Sequence, residues 1–218
     1  MTVYASGAAG NAKPIQDISG SKTGLSAPFG VAVDGSGNTY VTNTDDVITV
    51  YVPNATGNEA PTRTIIGPAY HQPKGIAISP INGDIYVARA NNNAIIIYAA
   101  SATGSVSPIG EIQGSKTGLD YPFGVALDKS GNIYVTNTDD GTGNGSVTVY
   151  AAGSTGNVAP IQTIAGTRTE LAGPQQLALD SSLNIYVANS AYDNGNGSLT
   201  VYAAGANGNV APIETIEG

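Results

Sequence analysis

The stretch Ser130-Gly131-Asn132-Ile133-Tyr134-Val135-Thr136-Asn137 decides the fold of this chain, because it recurs along the whole sequence. Its tyrosine has counterparts at Tyr40, Tyr86 and Tyr186, each within a short run of Val, Ile, Thr or Ala. A second tyrosine series recurs at spacings of 47, 47, 52 and 52 residues: Tyr4, Tyr51, Tyr98, Tyr150 and Tyr202. Self-similarity at such a period is typical of repeat architectures in which each unit is one small sheet or helix pair.

Each repeat contains four short apolar runs bounded by Gly, Pro or Asn. In one repeat these are Gly124-Val125-Ala126-Leu127-Asp128, Asn132 to Asn137, Thr148-Val149-Tyr150 and Pro160-Ile161-Gln162-Thr163-Ile164. The runs are too short for helices and rich in β-branched and aromatic residues, which favours strands. Four antiparallel strands bury both faces only by stacking on neighbouring sheets, and radial stacking leaves few exposed edges. The repeat therefore predicts an all-β chain, a β-propeller of four-stranded antiparallel blades.

The Ser130–Asn137 stretch resembles the signature of NHL-type and YVTN-type propeller repeats, and this resemblance extends over nearly the whole chain. It implies that the Gly-Val-Ala-Leu-Asp run is the inner strand and the Pro-Ile-Gln-Thr-Ile run the outermost. On that basis residues 1–218 form a single domain with four complete blades, at about 30–67, 75–114, 124–166 and 177–218. Residues 1–19 match only an N-terminal outer half-blade. The family includes binding modules, surface proteins and some enzymes, so the resemblance predicts fold rather than function.

Composition excludes several classes of function. The 8 Lys and Arg against 16 Asp and Glu give a net charge of -8, so we expect no nucleic-acid partner. No apolar run approaches the length of a membrane span. The chain has no Cys, which excludes disulfides and thiolate chemistry. A surface low in charge and rich in Gly, Asn, Thr and Ser favours an extracellular or cell-surface location.

The candidate ligand-binding residues belong to the loops that enter the inner strands. These loops and those joining the second and third strands emerge on one face of a propeller, where rings of polar and aromatic groups suit a small ligand or peptide. The candidates are Phe29, Tyr70, His71, Lys74, Tyr121, Phe123 and Gln175. The alternative is that these loops are solvated turns. The near-identity of residues 20–25 and 114–119 favours duplication over function for those two segments.

Catalytic and metal motifs are sparse. His71 is the only histidine, and no Gly-x-Ser-x-Gly elbow is present, so we assign no catalytic residue. Asp140, Thr142 and Asn144 partly follow the alternating oxygen ligands of a calcium loop, but the downstream acidic ligand is missing. No cofactor is predicted, and calcium is kept as an alternative.

Three functions remain open at this point. The first is a non-enzymatic extracellular binding or scaffold module that engages a protein, peptide or surface partner. The second is a metal-dependent lactonase or hydrolase of the gluconolactonase-like propeller type. The third is a structural protein that self-assembles on a surface or in a filament. The unpaired outer half-blade exposes strand edges and apolar side chains. We therefore expect either that the sequence is a segment of a longer propeller array or that the chain self-associates through residues 1–19.

Overall fold

The computed structural model of the chain describes residues 1–67, 72–138, 145–190 and 197–217. These residues are all-β, apart from a single 3-10 turn at Ala90–Asn92. The predicted all-β class and the four-stranded antiparallel sheets are confirmed. In the same described ranges, no helix is long and apolar enough to cross a membrane.

The chain begins with a two-stranded hairpin of β1 (Thr2–Val3) and β2 (Gln16–Asp17). Four antiparallel sheets of four strands follow in chain order, and we call them units 1 to 4; the first gains a fifth, parallel strand from the segment that follows the third strand of unit 2. Unit 1 contains β3 (Pro28–Val33), β4 (Thr39–Asn43), β5 (Val47–Tyr51) and β6 (Arg63–Ile66). Unit 2 contains β7 (Pro73–Ile78), β8 (Ile85–Arg89), β9 (Ala94–Tyr98) and β11 (Gly110–Gln113). The short strand β10 (Gly104–Ser105), between β9 and β11 in the chain, pairs in parallel with β6 of unit 1. Unit 3 contains β12 (Pro122–Leu127), β13 (Ile133–Asn137), β14 (Ser146–Tyr150) and β15 (Gln162–Ile164). Unit 4 contains β16 (Pro174–Leu179), β17 (Ile185–Asn189), β18 (Ser198–Tyr202) and β19 (Glu214–Glu217).

The inner strands β3, β7, β12 and β16 pack against one another in chain order. Glycine permits this packing. A Cβ atom on Gly30 would lie 2.6 Å from the Lys74 carbonyl oxygen, and one on Gly124 would lie 2.6 Å from the Gln175 carbonyl oxygen. Gly75 repeats the arrangement against unit 3. Adjacent inner strands therefore approach more closely than any side chain at these positions would allow.

The hydrophobic core lies between consecutive units rather than within one sheet. Three apolar clusters each combine side chains from neighbouring units, namely 1 with 2, 2 with 3 and 3 with 4, and a fourth joins the N-terminal hairpin to unit 1. Tyr40, Tyr86 and Tyr134 are buried in these clusters, whereas Tyr186 in unit 4 is only half-buried. Each sheet thus depends on its neighbour for burial, as expected for stacked repeats.

Three tyrosines of the second series, Tyr51, Tyr150 and Tyr202, each bind a loop that leads into an inner strand. The hydroxyl of Tyr51 donates a hydrogen bond to the Thr23 carbonyl (2.6 Å), and that of Tyr150 donates to the Thr117 carbonyl (2.7 Å). The loop that contains Thr23 makes a second hydrogen bond, in which the Lys22 N–H donates to Asn58 Oδ1 at 2.7 Å. The near-identical 20–25 and 114–119 segments therefore have a structural role, which accounts for their duplication.

Buried tyrosines make the stability of the fold depend on alkaline pH. Burial raises the pKa of Tyr150 to about 12, although a hydrogen bond with Thr148 lowers it in part, and burial likewise raises the pKa of Tyr202 to about 12. A tyrosine in the unfolded chain has a pKa of about 10, so the folded state holds these protons more tightly. The stabilisation is complete below pH ~10 and is lost as the pH rises towards ~12.

We therefore expect the free energy of unfolding to fall between pH ~10 and ~12, and to fall less steeply in Tyr150→Phe. Urea unfolding at a series of pH values measures both slopes. Equal slopes in the two proteins would show that Tyr150 does not contribute to the pH dependence.

Candidate functional site

Four of the predicted site residues occupy one equivalent position in the four units. Phe29, Lys74, Phe123 and Gln175 each follow the proline that begins an inner strand. The sequence interpretation placed them in the entering loops, but the inner strands begin at these prolines. The physical reason is a bulge, because the register of each inner strand shifts after its proline and pairing then resumes.

Packing of β3, β7 and β12 brings three of these side chains together. The Lys74 ammonium lies 3.8 Å from the centroid of the Phe29 ring and 5.4 Å from that of Phe123. The two rings meet edge to face, with centroids 5.4 Å apart and planes at 69°. We call these three residues the Phe–Lys–Phe cluster. Both distances from the Lys74 ammonium to a ring centroid are within the range of cation–π attraction.

The cluster is buried on one side and open on the other. Lys74 is 8% exposed and Phe123 is 9% exposed, whereas Phe29 is 43% exposed. Burial lowers the pKa of Lys74, and no carboxylate among the described residues contributes to that pKa. The ammonium is therefore held by aromatic faces without a counter-ion from the described part of the chain, an arrangement that favours binding of an acidic group.

The hydrogen bonds of Gln175 and Tyr121 go to neighbouring backbone and loops rather than to the cluster. The Gln175 carbonyl accepts a hydrogen bond from Thr136 Oγ1, which ties unit 3 to unit 4. The Tyr121 N–H donates to Asn93 Oδ1 at 2.7 Å, which ties the loop before β12 to the turn after β8. These backbone bonds connect neighbouring units, and a ligand-binding role for the two side chains stays a prediction.

The remaining predicted residues lie outside the described residues. These are Tyr70 and His71 of the proposed ligand site and Asp140, Thr142 and Asn144 of the proposed calcium loop. Across residues 1–67, 72–138, 145–190 and 197–217, no group of three or more His, Cys, Asp or Glu residues is placed to hold a metal ion.

At one place, between units 2 and 3, a loop that leads into an inner strand lies beside a loop that follows a second strand. A groove of about 320 Å³ lies between the turn after β8, at Asn92 and Asn93, and the loop before β12, from Gln113 to Leu119. Across it the Gln113 side-chain amide donates to the Asn92 carbonyl at 2.8 Å. Loops that lead into an inner strand and loops that follow a second strand therefore form a continuous surface between units 2 and 3.

Arg89 is a second buried cation that the sequence interpretation missed. In three units the second strand ends in an asparagine whose side-chain amide both accepts and donates hydrogen bonds. In unit 1, for example, Asn43 Oδ1 accepts from the Ser26 N–H and Asn43 Nδ2 donates to Thr49 Oγ1. In unit 2 this position is Arg89, and Ile96 replaces the hydroxyl-bearing partner. The signal was therefore present as a break in the Tyr-Val-x-Asn repeat.

The Arg89 side chain is buried, and its guanidinium group lacks a full set of hydrogen-bond partners among the described residues. Its side chain is 8% exposed, and one terminal guanidinium nitrogen is buried with no hydrogen-bond partner among the described residues. Burial lowers the pKa of Arg89, whereas Tyr98, Asp46 and Glu111 raise it. The adjoining cavity of about 20 Å³ has room for roughly one water molecule. Unit 2 thus differs from its neighbours by carrying both Lys74 and Arg89.

No protein-family model and no curated protein matches the chain. Solved structures do match. Hydrazine synthase of Kuenenia stuttgartiensis is 17% identical with a TM-score of 0.67, over 92% of this chain and 51% of that one. A nidogen/laminin complex chain is 19% identical with a TM-score of 0.60, over 82% and 61%. Streptogramin B lyase is 13% identical with a TM-score of 0.57, over 88% and 54%.

The chain spans between half and about three fifths of the length of these three structures. At these identities the likeness concerns the fold alone. The structural neighbours are β-propeller proteins, and together with the repeated four-stranded sheets they support a β-propeller fold for this chain.

Proposed function

We propose that this protein is a non-enzymatic binding module that holds a protein or peptide partner on the face bearing the Phe–Lys–Phe cluster. The observation that carries the proposal is the buried Lys74 ammonium between Phe29 and Phe123, with no counter-ion among the described residues. An extracellular or cell-surface location is part of the proposal and rests on the composition, which is low in charged residues and rich in Gly and Asn.

The chemistry of the cluster suggests which part of a partner is recognised. Phe29 offers an exposed ring face, and the neighbouring Val31 of β3 is also exposed. An aromatic or aliphatic group could pack there while an adjacent carboxylate reaches Lys74. The net charge of -8 repels acidic partners at long range, so recognition depends on these short-range contacts rather than on electrostatic steering.

The structural neighbours are compatible with a binding function without specifying one. The neighbour in the nidogen/laminin complex belongs to a protein–protein assembly, and streptogramin B lyase is named as an enzyme. The fold therefore serves both classes. The hydrolase hypothesis remains an alternative, but among the described residues no group of three or more His, Cys, Asp or Glu side chains favours a metal site for it.

A pair of lysine variants tests the proposal. Lys74→Met removes the charge but keeps a long apolar side chain in the cluster, whereas Lys116→Met removes an equal charge from an exposed loop. The probes are fluorescent peptides of equal length that contain either Asp-Phe or Asn-Phe. We expect wild type and Lys116→Met to bind the Asp-Phe peptide, and Lys74→Met to bind it about tenfold more weakly, a loss of about 1.4 kcal/mol.

Fluorescence anisotropy measures the affinities, and thermal melting confirms that each variant is folded. Folded Lys74→Met that binds as tightly as Lys116→Met would overturn the assignment of Lys74. Equal binding of the two peptides by wild type would overturn recognition of an acidic group.

A further inference from the structure

The contact between consecutive units is the same at four places along the chain. At each place an outer-strand isoleucine forms a parallel β-bridge or strand pair with a glycine of the following unit: Ile18 with Gly57, Ile65 with Gly104, Ile112 with Gly156 and Ile164 with Gly208. The four isoleucines are between 0% and 2% exposed. The outer edge of the repeat thus has a fixed mode of association.

Backbone hydrogen bonds define this junction. The Gly57 N–H donates to the Asp17 carbonyl at 2.6 Å, and the Ser19 N–H donates to the Gly57 carbonyl at 3.1 Å. Gly156 and Gly208 make the same pair of bonds to the residues that flank Ile112 and Ile164. Because backbone groups supply these bonds, the junction depends on strand geometry rather than on a particular side chain.

Among the described residues, one half of such a junction is unpaired in unit 4 and the other half is unpaired in the N-terminal hairpin. In β19 the equivalent isoleucine is Ile216, and it is 54% exposed. In the N-terminal hairpin the equivalent glycine is Gly10, which follows Tyr4 by the same interval that separates Gly57 from Tyr51. Gly10 has the left-handed conformation of the paired glycine, with φ +61° against +71° for Gly57. Gly10 therefore already has the backbone conformation of a paired glycine.

The inner strand of unit 4 indicates what kind of element can follow it. Gln176 occupies the position of Gly30, Gly75 and Gly124, so its Cβ prevents another inner strand from approaching as closely as the others do. This restriction concerns the inner strand β16 and does not apply to the outer strand β19. An element with outer strands only would fit, and the two-stranded sheet of β1 and β2 is such an element.

We infer that unit 4 of one copy binds the N-terminal hairpin of a second copy, with Ile216 against Gly10. The Gly10 N–H of the second copy donates to the Thr215 carbonyl, and the Glu217 N–H donates to the Gly10 carbonyl. The contact uses two different surfaces, so it is heterologous and continues into open chains or closes into a ring of several copies.

Two aspartate variants in the last unit provide the first test. Ile216→Asp places a charge in the proposed junction. Ile213→Asp is the matched control, because Ile213 is 63% exposed. Its counterparts in the hairpin and in units that do pack against a following unit are also exposed, namely Ile15, Ile109 and Ile161. A charge at this position should therefore not disturb the junction. We expect the mass of wild type and of Ile213→Asp to rise with concentration above 21.8 kDa in sedimentation experiments. Ile216→Asp should need a concentration at least about tenfold higher to associate.

A monomeric wild type at every concentration would overturn the inference, and so would equal association of the two variants. Measurement of circular dichroism confirms that Ile216→Asp is folded.

Cross-linking distinguishes a second copy from closure of the chain on itself. The native sequence has no cysteine, so Ala9→Cys and Thr215→Cys can be introduced alone or together. The equivalent residues are close at an internal junction, where Thr56 Oγ1 accepts from the Asp17 N–H at 3.3 Å. With a short bismaleimide, a mixture of the two single variants should give a dimer, and the double variant should give a ladder. A cross-link within one double-variant chain, or no product at all, would overturn association with a second copy.

Discussion

Replacement of Tyr150 by alanine is expected to lower the free energy of unfolding by about 4 kcal/mol, the usual range for loss of a large buried aromatic side chain. The ring is fully buried in the cluster between units 2 and 3. Its hydroxyl donates to the Thr117 carbonyl, so the variant loses a loop contact as well as core volume. Denaturant unfolding followed by circular dichroism measures the change.

The repeat supplies the control for this experiment. Tyr4 occupies the same position in the N-terminal hairpin but is 51% exposed. Tyr4→Ala should therefore change stability by no more than about 0.5 kcal/mol. Tyr150→Phe should cost about 1 kcal/mol, because the buried Thr117 carbonyl then loses its donor. Equal effects of Tyr4→Ala and Tyr150→Ala would contradict the idea that neighbouring units bury this tyrosine.

Substitution of Gly75 by alanine is expected to destabilise the protein by about 3 kcal/mol, because the added methyl group overpacks a contact between backbones. The new Cβ would lie 2.7 Å from the Phe123 carbonyl oxygen and 3.0 Å from the Gly124 Cα. Neither neighbour is a flexible side chain, so the inner strands of units 2 and 3 would have to separate. The same movement would displace Lys74 from Phe123.

Gly35→Ala is the matched control, since a Cβ on Gly35 would meet no atom within 4 Å and its φ is not in the left-handed region. This variant should be neutral or slightly stabilising, by a few tenths of a kcal/mol, through lower entropy of the unfolded chain. Thermal or denaturant midpoints compare the two variants. If Gly75→Ala were as stable as Gly35→Ala, the inner strands would not be in the close contact described.

Unit 2 is where the repeat is broken in ways that matter for function. Lys74 replaces the phenylalanine of units 1 and 3, and Arg89 replaces the asparagine of the other three units. Both cations are buried. Burial of a charge without a complete set of hydrogen-bond partners lowers stability. The presence of two buried cations in unit 2 therefore marks this unit as the candidate site of a function that the other units lack.

Much of the fold could be predicted from the sequence. Short runs such as Ile133–Asn137 are bounded by turn residues and repeat at a fixed period, so strand content and the four-stranded sheets follow from local patterns. The candidate list also contained Phe29, Lys74 and Phe123. It also contained Gln175 and Tyr121, whose binding role stays a prediction, because a sequence pattern identifies the ends of strands but not which side chains meet across them.

The repeat itself determined that every unit has the same four strands, a tyrosine at the end of its third strand and an isoleucine in its outer strand. Only the tertiary structure decided which copies of these residues are buried, because burial depends on whether a neighbouring unit is present. Ile164 and Ile216 belong to the same pattern, yet Ile164 is packed against unit 4 and Ile216 is exposed. The same physical reason applies to the candidate site. Phe29, Lys74 and Phe123 are far apart in sequence, and only the close packing of three inner strands over glycine places an ammonium group between two rings.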